Sequence, residues 1–382
     1  MRKILYINLS FMNYQNKTLA QLHSFERAGF LTYAGTMERR QEYVVQTIFE
    51  VRQGRAGREV AHWEYDAALF KTRSRIYLSD VFKHFNGWIT ENKIELVYIR
   101  RLLQRIFFSD KFFRAMKNSA KVIYELPTYP LDPSDRLSDR FNERVEMMYF
   151  KLFVEPGLDL VAVCLQKDCV LPEKYLPFSN GIDAQRYKPG KIPELKEEFR
   201  CIAFAHVRYW HGYERVIEGI KKYQGPYTLR FDIYSNENNT TEELKKAAAE
   251  YGLMDNIVLH EAVPLEEMSG AAAGCHIGIG GLAYHKRGAA LDTSLKSKEY
   301  AALGLPFIYE VPDMSINENW PYHFRIPQDD TPIDFEKVIL WYKSLPPDYK
   351  VKMHEFAAAY LQYDTEVRDI KNRLFKSDRS IN

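Results

Sequence analysis

The segment Ser294-Leu295-Lys296-Ser297-Lys298-Glu299-Tyr300 gathers hydroxyls, two lysines and a carboxylate within a short stretch. With Thr293 or Ser294 as N-cap, a helix over 294–302 would open here. Its first N–H groups and positive dipole end would then form a site for phosphate. Lys296 and Lys298 add charge, although a solvated lysine fits the same spacing. Glu299 falls under two turns into the helix, where its carboxylate can accept two vicinal ribose hydroxyls. Gly304-Leu-Pro306 ends the helix tightly before the next strand.

Other groupings carry weaker signals. Arg208-Tyr-Trp-His211-Gly212-Tyr-Glu-Arg215 follows a strand and opens an amphipathic helix, at the sheet end where open α/β folds bind ligands. Arg208 can meet a diphosphate bidentately, and Gly212 would let the backbone come close. A solvated arginine and a helix-start glycine fit equally well. Gly278-Ile-Gly280-Gly-Leu-Ala283 satisfies a GxGxxA pattern. No helix starts within it, however, 284–293 reads as a loop, and no acidic residue ends a second strand about 20 residues on, so no dinucleotide is expected. Asn180-Gly181-Ile182-Asp183 is turn chemistry. The aromatic-basic stretch over 100–114 admits two readings: contact with an anionic membrane surface, or a helix packing its phenylalanines into the N-terminal domain, the commoner outcome. DxD, GxxxxGK[ST] and GxSxG are absent from the sequence, which argues against metal-bridged single-domain transferases, P-loop NTPases and nucleophile-elbow hydrolases.

The elements that must position these residues follow from length and pattern. At 382 residues, with 46% hydrophobic and 27% charged, the chain suits two globular domains. A net charge of +2 argues against a nucleic-acid partner, since such proteins carry a clear basic excess. Cys164, Cys169, Cys201 and Cys275 lack zinc spacing and read as buried thiols in a reducing compartment. The N-terminal apolar run is shorter than a signal-peptide core, and no later run approaches the ~18 apolar residues of a membrane span. The expected location is therefore cytoplasmic, with peripheral contact at the cytoplasmic membrane face.

Short apolar runs alternate with helical patterns, the signature of α/β with a parallel sheet. Strands are expected at 3–9, 96–99, 121–124 and 160–163. A loop over 10–17, a helix ending at Ala28-Gly29 and a long helix over 134–152 lie between them. Prolines and glycines over 176–193 mark a linker. Alternation then restarts, with strands at 201–205, 229–234, 256–259, 276–280 and 306–309, before a helical tail. This predicts two doubly wound Rossmann-like domains: 1–178 plus 360–382, a linker over 179–198, and 199–359.

Three segments in this order resemble the family-four retaining glycosyltransferases of the GT-B fold. They are Asn180-Gly-Ile-Asp183 with Tyr187-Lys-Pro189, Arg208 with His211-Gly212, and Lys296-x-x-Glu299-Tyr300-x-Ala302-x-Gly304-x-Pro306. More narrowly, Trp-His-Gly-Tyr-Glu-Arg and Glu125-Leu-Pro-Thr-Tyr-Pro130 resemble bacterial members that build surface polysaccharides. The match covers about residues 175–310 of the sequence. It implies two domains facing a cleft, with the C-terminal helix crossing back to the N-terminal domain. It also implies a hexosyl-type transfer from a nucleotide sugar (UDP, GDP and dTDP not distinguished) to a glycan or lipid-linked glycan, without metal or cofactor.

By this resemblance the catalytic residues are Arg208, Lys296 and Glu299. His211, Gly212, Ser294, Leu295, Glu299, Lys286 and Arg287 bind the donor, and Asn13, Arg100, Glu125 and Tyr129 face the acceptor. Two departures stand out. The family's second glutamate, eight residues before the ribose-binding one, is Leu291 here, so the sugar must be read by Asp292 or the His285-Lys286-Arg287 loop. The lysine of its Lys-Gly pair is His211, a pH-dependent phosphate partner. A nucleotide-sugar epimerase of related fold and a non-catalytic nucleotide-binding partner in a glycan-assembly complex are the alternatives.

Overall fold

The computed structural model describes residues 1–10, 14–68, 74–102, 107, 109–130 and 137–375. The chain divides into two compact units, Met1–Leu165 with Cys169–Gly181 and Gln362–Asn382, and Gln166–Asp168 with Ile182–Leu361.

The first unit is built on an eight-stranded sheet of order β4-β3-β2-β1-β5-β6-β7-β8. Its strands are β1 (Arg2–Asn8), β2 (Phe30–Arg39), β3 (Tyr43–Arg52), β4 (Arg55–Asp66), β5 (Leu96–Arg100), β6 (Lys121–Tyr129), β7 (Leu160–Leu165) and β8 (Tyr175–Phe178). From β2 to β8 the neighbours are parallel, but β3 and β4 extend the sheet antiparallel. This meander was not anticipated from sequence. The outer face of β4 is largely exposed, so the apolar runs that mark buried parallel strands are missing there. Pro177 lies within β8 at the sheet edge, where a missing N–H is tolerated, so the residues at the start of the expected linker are strand.

Helices α1 (Gln15–Arg27), α2 (Ser74–Glu91), α3 (Asp110–Lys117) and α4 (Leu137–Tyr149) complete the unit with the C-terminal helix Asp364–Phe375. That last helix buries Val367 and Ile370 in the same core as Ile4, Leu22, Phe25 and Tyr98. It is pinned to α1 by Arg27, whose Nη2 lies 2.9 Å from Asp364. Of the aromatic-basic stretch, 103–106 and 108 lie outside the described residues. Its remaining helical part is α3, which buries Phe112 and Phe113, the commoner of the two expected outcomes. Cys164, Cys201 and Cys275 are buried, but Cys169 is exposed, contrary to the expectation of four buried thiols.

The second unit carries a six-stranded parallel sheet of order β11-β10-β9-β12-β13-β14. The strands are β9 (Glu198–Phe204), β10 (Thr228–Tyr234), β11 (Ile257–His260), β12 (Ile277–Ile279), β13 (Phe307–Tyr309) and β14 (His323–Arg325). Counted within the unit, this is the order 3-2-1-4-5-6 of a dinucleotide-type doubly wound sheet, whose direction of winding reverses between β9 and β12. Helices α5 (Glu214–Lys222), α6 (Asn239–Glu250), α7 (Leu265–Ala271), α8 (Leu295–Leu303), α9 (Phe335–Lys343) and α10 (Tyr349–Tyr360) cover it.

The glycines of the GxGxxA pattern serve packing. A Cβ on Gly278 would come 2.8 Å from the Tyr300 ring, and one on Gly280 the same distance from the Ile308 carbonyl. Tyr300 fills the space so created and donates its hydroxyl to the Ile279 carbonyl at 2.9 Å.

Gly304 fixes the far end of α8. Its φ is +63°, the left-handed region in which helices commonly end, and a Cβ there would meet the Lys350 carbonyl at 2.7 Å. Gly304→Ala should therefore lose about 2–4 kcal/mol of stability, from left-handed strain plus overlap with backbone. Urea unfolding followed by tryptophan fluorescence measures this, and an unchanged midpoint would show that α8 is not fixed here.

Candidate functional site

The loops after β9, β12 and β13 meet at the carboxyl end of the second sheet, where the winding reverses. After β9 the chain forms a short 3-10 turn (Tyr209–His211) that ends at Gly212 with φ +63°. This turn is zipped to the loop after β12: Leu282 N–H donates to His211 O at 3.0 Å and Ala283 N–H to Trp210 O at 3.2 Å. A Cβ on Gly212 would stand 2.8 Å from that of Ala283, so glycine is what permits the approach. Behind it, buried Arg215 braces the same loop, donating to the carbonyls of Leu282, of Thr331 at 2.8 Å and of Pro327 at 3.1 Å.

Helix α8 opens into this crevice. Ser294 is its N-cap, but its backbone N–H and its hydroxyl are both given to Asp292, at 2.7 and 2.8 Å. The helix-start donors that remain therefore begin at Leu295.

Its two lysines take opposite roles. Lys298 is fully buried, paired with Asp313 and donating to the Ser294 carbonyl at 3.1 Å. It locks the first turn to the loop after β13 and has no surface to offer an anion. Lys296 instead faces His211, with Nζ 2.6 Å from Nε2.

The tautomer of His211 follows from its other nitrogen. Nδ1 accepts the Arg208 N–H at 2.9 Å, so a neutral imidazole carries its proton on Nε2, toward Lys296. The 2.6 Å contact then belongs to an unprotonated amine accepting that proton's hydrogen bond. Burial lowers Lys296 to about 8. Burial, followed by the charges of Lys296 and Arg287, holds His211 well below the usual imidazole range. Arg287 stacks over Trp210, 5.1 Å from its ring centre, and donates to the Gln166 side chain at 3.2 Å. Arg208 is exposed at the rim.

Glu299 lies one turn on from Lys296. The Tyr187 hydroxyl donates to it at 3.1 Å, and burial raises its pKa above the ordinary carboxylate value. The remaining loop charges are compensated. His285 pairs with buried Glu310, and Lys286 lies 2.9 Å from both Glu214 and Asp330. Leu291, at the position of the family's second glutamate, gives its N–H to Gln166 O at 3.0 Å. Asp292 is raised by burial and then by Asp313.

The structure thus brings together Arg208, His211, Gly212, Ser294, Leu295, Lys296 and Glu299, with Arg287 beside them. Lys286 is turned to carboxylates. Two functional residues are not apparent from the sequence: Tyr187 as the partner of Glu299, and Glu310, whose place just after a strand's carboxyl end is the available signal. Nearby, Ser235, Asn236, Thr241 and His260 help line a cavity of about 360 Å³ at the carboxyl ends of β10 and β11.

In the first unit, the corresponding reversal lies between β1 and β5. There Glu125 is fully buried and accepts from Lys17 at 2.6 Å, from Tyr6 at 3.0 Å and from Arg100. Burial raises its pKa, but Lys17 and Arg100 outweigh that and hold it below the ordinary value. Arg100 is itself covered by the Tyr14 ring at 4.1 Å. Tyr129 is half-buried beside Tyr175, and Asn13 lies outside the described residues. Of the four expected acceptor residues, Arg100 and Glu125 are buried partners of one another.

Among the described residues no group of three His, Cys, Asp or Glu side chains could hold a metal, and no helix is long and apolar enough to cross a membrane.

The two lysines of α8 should separate on mutation. Lys298→Met strands Asp313 beside Asp292 and should cost about 3–5 kcal/mol, as for breaking a buried pair. Lys296→Met removes a desolvated amine and should leave stability unchanged or raised. Thermal melts of both variants check this, and equal losses would contradict the assignment.

No protein-family model matches the sequence, and no curated protein matches it. Solved structures do. A glycosyltransferase from Rickettsia africae superposes with TM-score 0.66 at 11% identity, over 98% of this chain and 99% of that one. HepE from Anabaena, in complex with UDP and glucose, gives 0.64 at 12% identity, over 98% and 100%. The catalytic domain of starch synthase IV from Arabidopsis thaliana, bound to ADP and acarbose, gives 0.61 at 9%, over 98% of both chains. With its two doubly wound units and the C-terminal helix packed in the first, the chain has the GT-B fold of glycosyltransferases.

Proposed function

We propose that this chain is a retaining glycosyltransferase that moves a hexosyl group from a nucleotide sugar to a glycan or lipid-linked glycan, in bacterial surface polysaccharide synthesis at the cytoplasmic membrane face. The observation that carries the reading is the convergence of Lys296, His211, Arg208 and the α8 start at the winding reversal of the second unit, with Glu299 one turn away. Such a site is positive where a diphosphate needs it and offers a carboxylate where a ribose would follow. The cavity beside His260 has room for a nucleobase. HepE, whose structures hold UDP with glucose and UDP-glucose, supports the donor class.

In the reaction, the bond from the sugar's anomeric carbon to the diphosphate breaks and the leaving oxygens collect the electron pair, while the acceptor hydroxyl oxygen bonds to that carbon on the same face and its proton passes to the departing phosphate oxygen. Arg208, Lys296 and the N–H groups from Leu295 onward stabilise that charge, work that a metal ion does in other transferases. Lys296 has a further part. When protonated it is repelled by the His211 Nε2–H and turns to the anion. Arg100 and Glu125 position the acceptor side of the first unit through one another, and Tyr129 has the surface to touch the acceptor.

Calorimetric titration with UDP, GDP, dTDP and ADP tests the reading. One of them should bind, and Glu299→Ala should weaken it about tenfold or more, as for losing charged hydrogen bonds to two hydroxyls. No binding by any of the four, or undiminished turnover in Glu299→Ala, would defeat the proposal. Donor conversion without acceptor would indicate an epimerase, and binding without transfer a non-catalytic partner.

A pH series gives a second test. The free site releases its Lys296 proton near pH 8, and the diphosphate needs the ammonium. Affinity should therefore be level below pH 8 and fall as pH rises above it, by at most about tenfold per unit. Proton uptake, read from titrations in buffers of different ionisation enthalpy, should appear over the same range and vanish in Lys296→Met.

A further inference from the structure

Helix α4 and the π-helical turn that continues it (Phe150–Val154) turn apolar residues outward. Phe141, Met148, Leu152 and Phe153 are 68%, 57%, 60% and 46% exposed. The face toward the protein is instead partly polar. Glu146 is buried there, accepting from Arg101 at 2.9 Å, beside Phe150 and Val154. Half-buried Val145 completes the outer row. Positions 141, 145, 148 and 152 follow the i, i+4, i+7, i+11 spacing of one helix face. Scattered exposed apolar residues are ordinary, but a contiguous row marks an interaction surface.

The charges around the row choose its partner. At about 100° per residue, Arg144 falls roughly 70° from the row's centre and Glu143 about 170° away, and exposed Lys151 follows in the π-helical turn next to Leu152. Helix α3 packs against the π-helical turn and exposes Lys111, Arg114 and Lys117. Its one acid, Asp110, accepts the Tyr149 hydroxyl at 2.8 Å. Tyr149 and Phe153 pack ring to ring at 5.0 Å on the other border. A second copy meeting this face through a two-fold axis would set the same cations against one another. An apolar row with a cationic border is what an anionic bilayer surface receives.

We propose that α4 and its continuation lie flat on an anionic lipid bilayer, with Phe141, Met148, Leu152 and Phe153 entering the interface and Arg144 and Lys151 at the headgroups. This deepens the membrane-face part of the proposed function and rests on it, but not on the donor site.

Co-sedimentation of the full chain with phosphatidylcholine vesicles, with and without phosphatidylglycerol, is the test. Binding should require phosphatidylglycerol and weaken with salt. It should fall about tenfold or more in a Phe141→Ser, Leu152→Ser double variant and in an Arg144→Glu, Lys151→Glu double variant. All four positions lie outside the core, so the variants should keep the wild-type melt, and nucleotide titration of the same samples reads the donor site separately. Absent or charge-independent vesicle binding would overturn the proposal, as would vesicle binding that both variants retain. So would a lipid-free dimer, seen by ultracentrifugation, that the serine variant dissolves.

Discussion

The reversal of winding between β9 and β12 is the constraint on which the second unit's chemistry depends. Neighbouring strands there send their connections to opposite faces, which opens a crevice lined by the loops that follow them. The crevice stays narrow because two backbone hydrogen bonds join its walls at 210–212 and 282–283. That closeness in turn demands a residue without a Cβ at Gly212. Arg215, spent on three carbonyls, holds the wall from behind. The site is therefore a product of topology and backbone spacing before any charged group enters it.

The charged groups then divide by whether a carboxylate reaches them. Lys298 and Lys286 are neutralised by acids, and His285 is held by Glu310. These contacts hold loops. Lys296 meets an imidazole instead of an acid, and no carboxylate among the described residues is in ion-pair contact with it. A desolvated amine without a counter-ion is costly, and its depressed pKa expresses that cost. Structure elsewhere holds it in place, so it is the group that gains most when an anion arrives.

Much of this was legible in the sequence. The first five parallel strands of the second unit and the opening of α8 follow from apolar runs, a capping serine and a closing glycine, all local signals, whereas the sixth, β14, is only three residues long and was not expected. The division of labour between Lys296 and Lys298 was not legible. The two are two residues apart, about 200° around the helix, and only the placement of Asp313, distant in sequence, decides which is buried. Glu125 and Arg100 show the same limit, because their pairing needs two adjacent parallel strands in register, Arg100 opposite Glu125. Strand β4 escaped because a largely exposed antiparallel strand lacks the continuous apolar pattern that marked its neighbours, while β2 and β3, which are mostly buried, were missed without that reason.

The two sheets solve the same electrostatic problem in opposite ways. Each places cations at its winding reversal, Lys17 and Arg100 in the first unit and Lys296 with Arg287 in the second. In the first, Glu125 lies fully buried between its cations and satisfies both, so the cluster is closed and a further anion has nothing to gain there. In the second, the carboxylate on the same helix, Glu299, is turned aside to the Tyr187 hydroxyl and makes no ion pair with Lys296. A neutral or hydroxyl-rich ligand suits the first arrangement, and a polyanion the second. Histidine in place of lysine at 211 fits this logic: it keeps a donor facing the crevice without adding another charge that burial would have to bear.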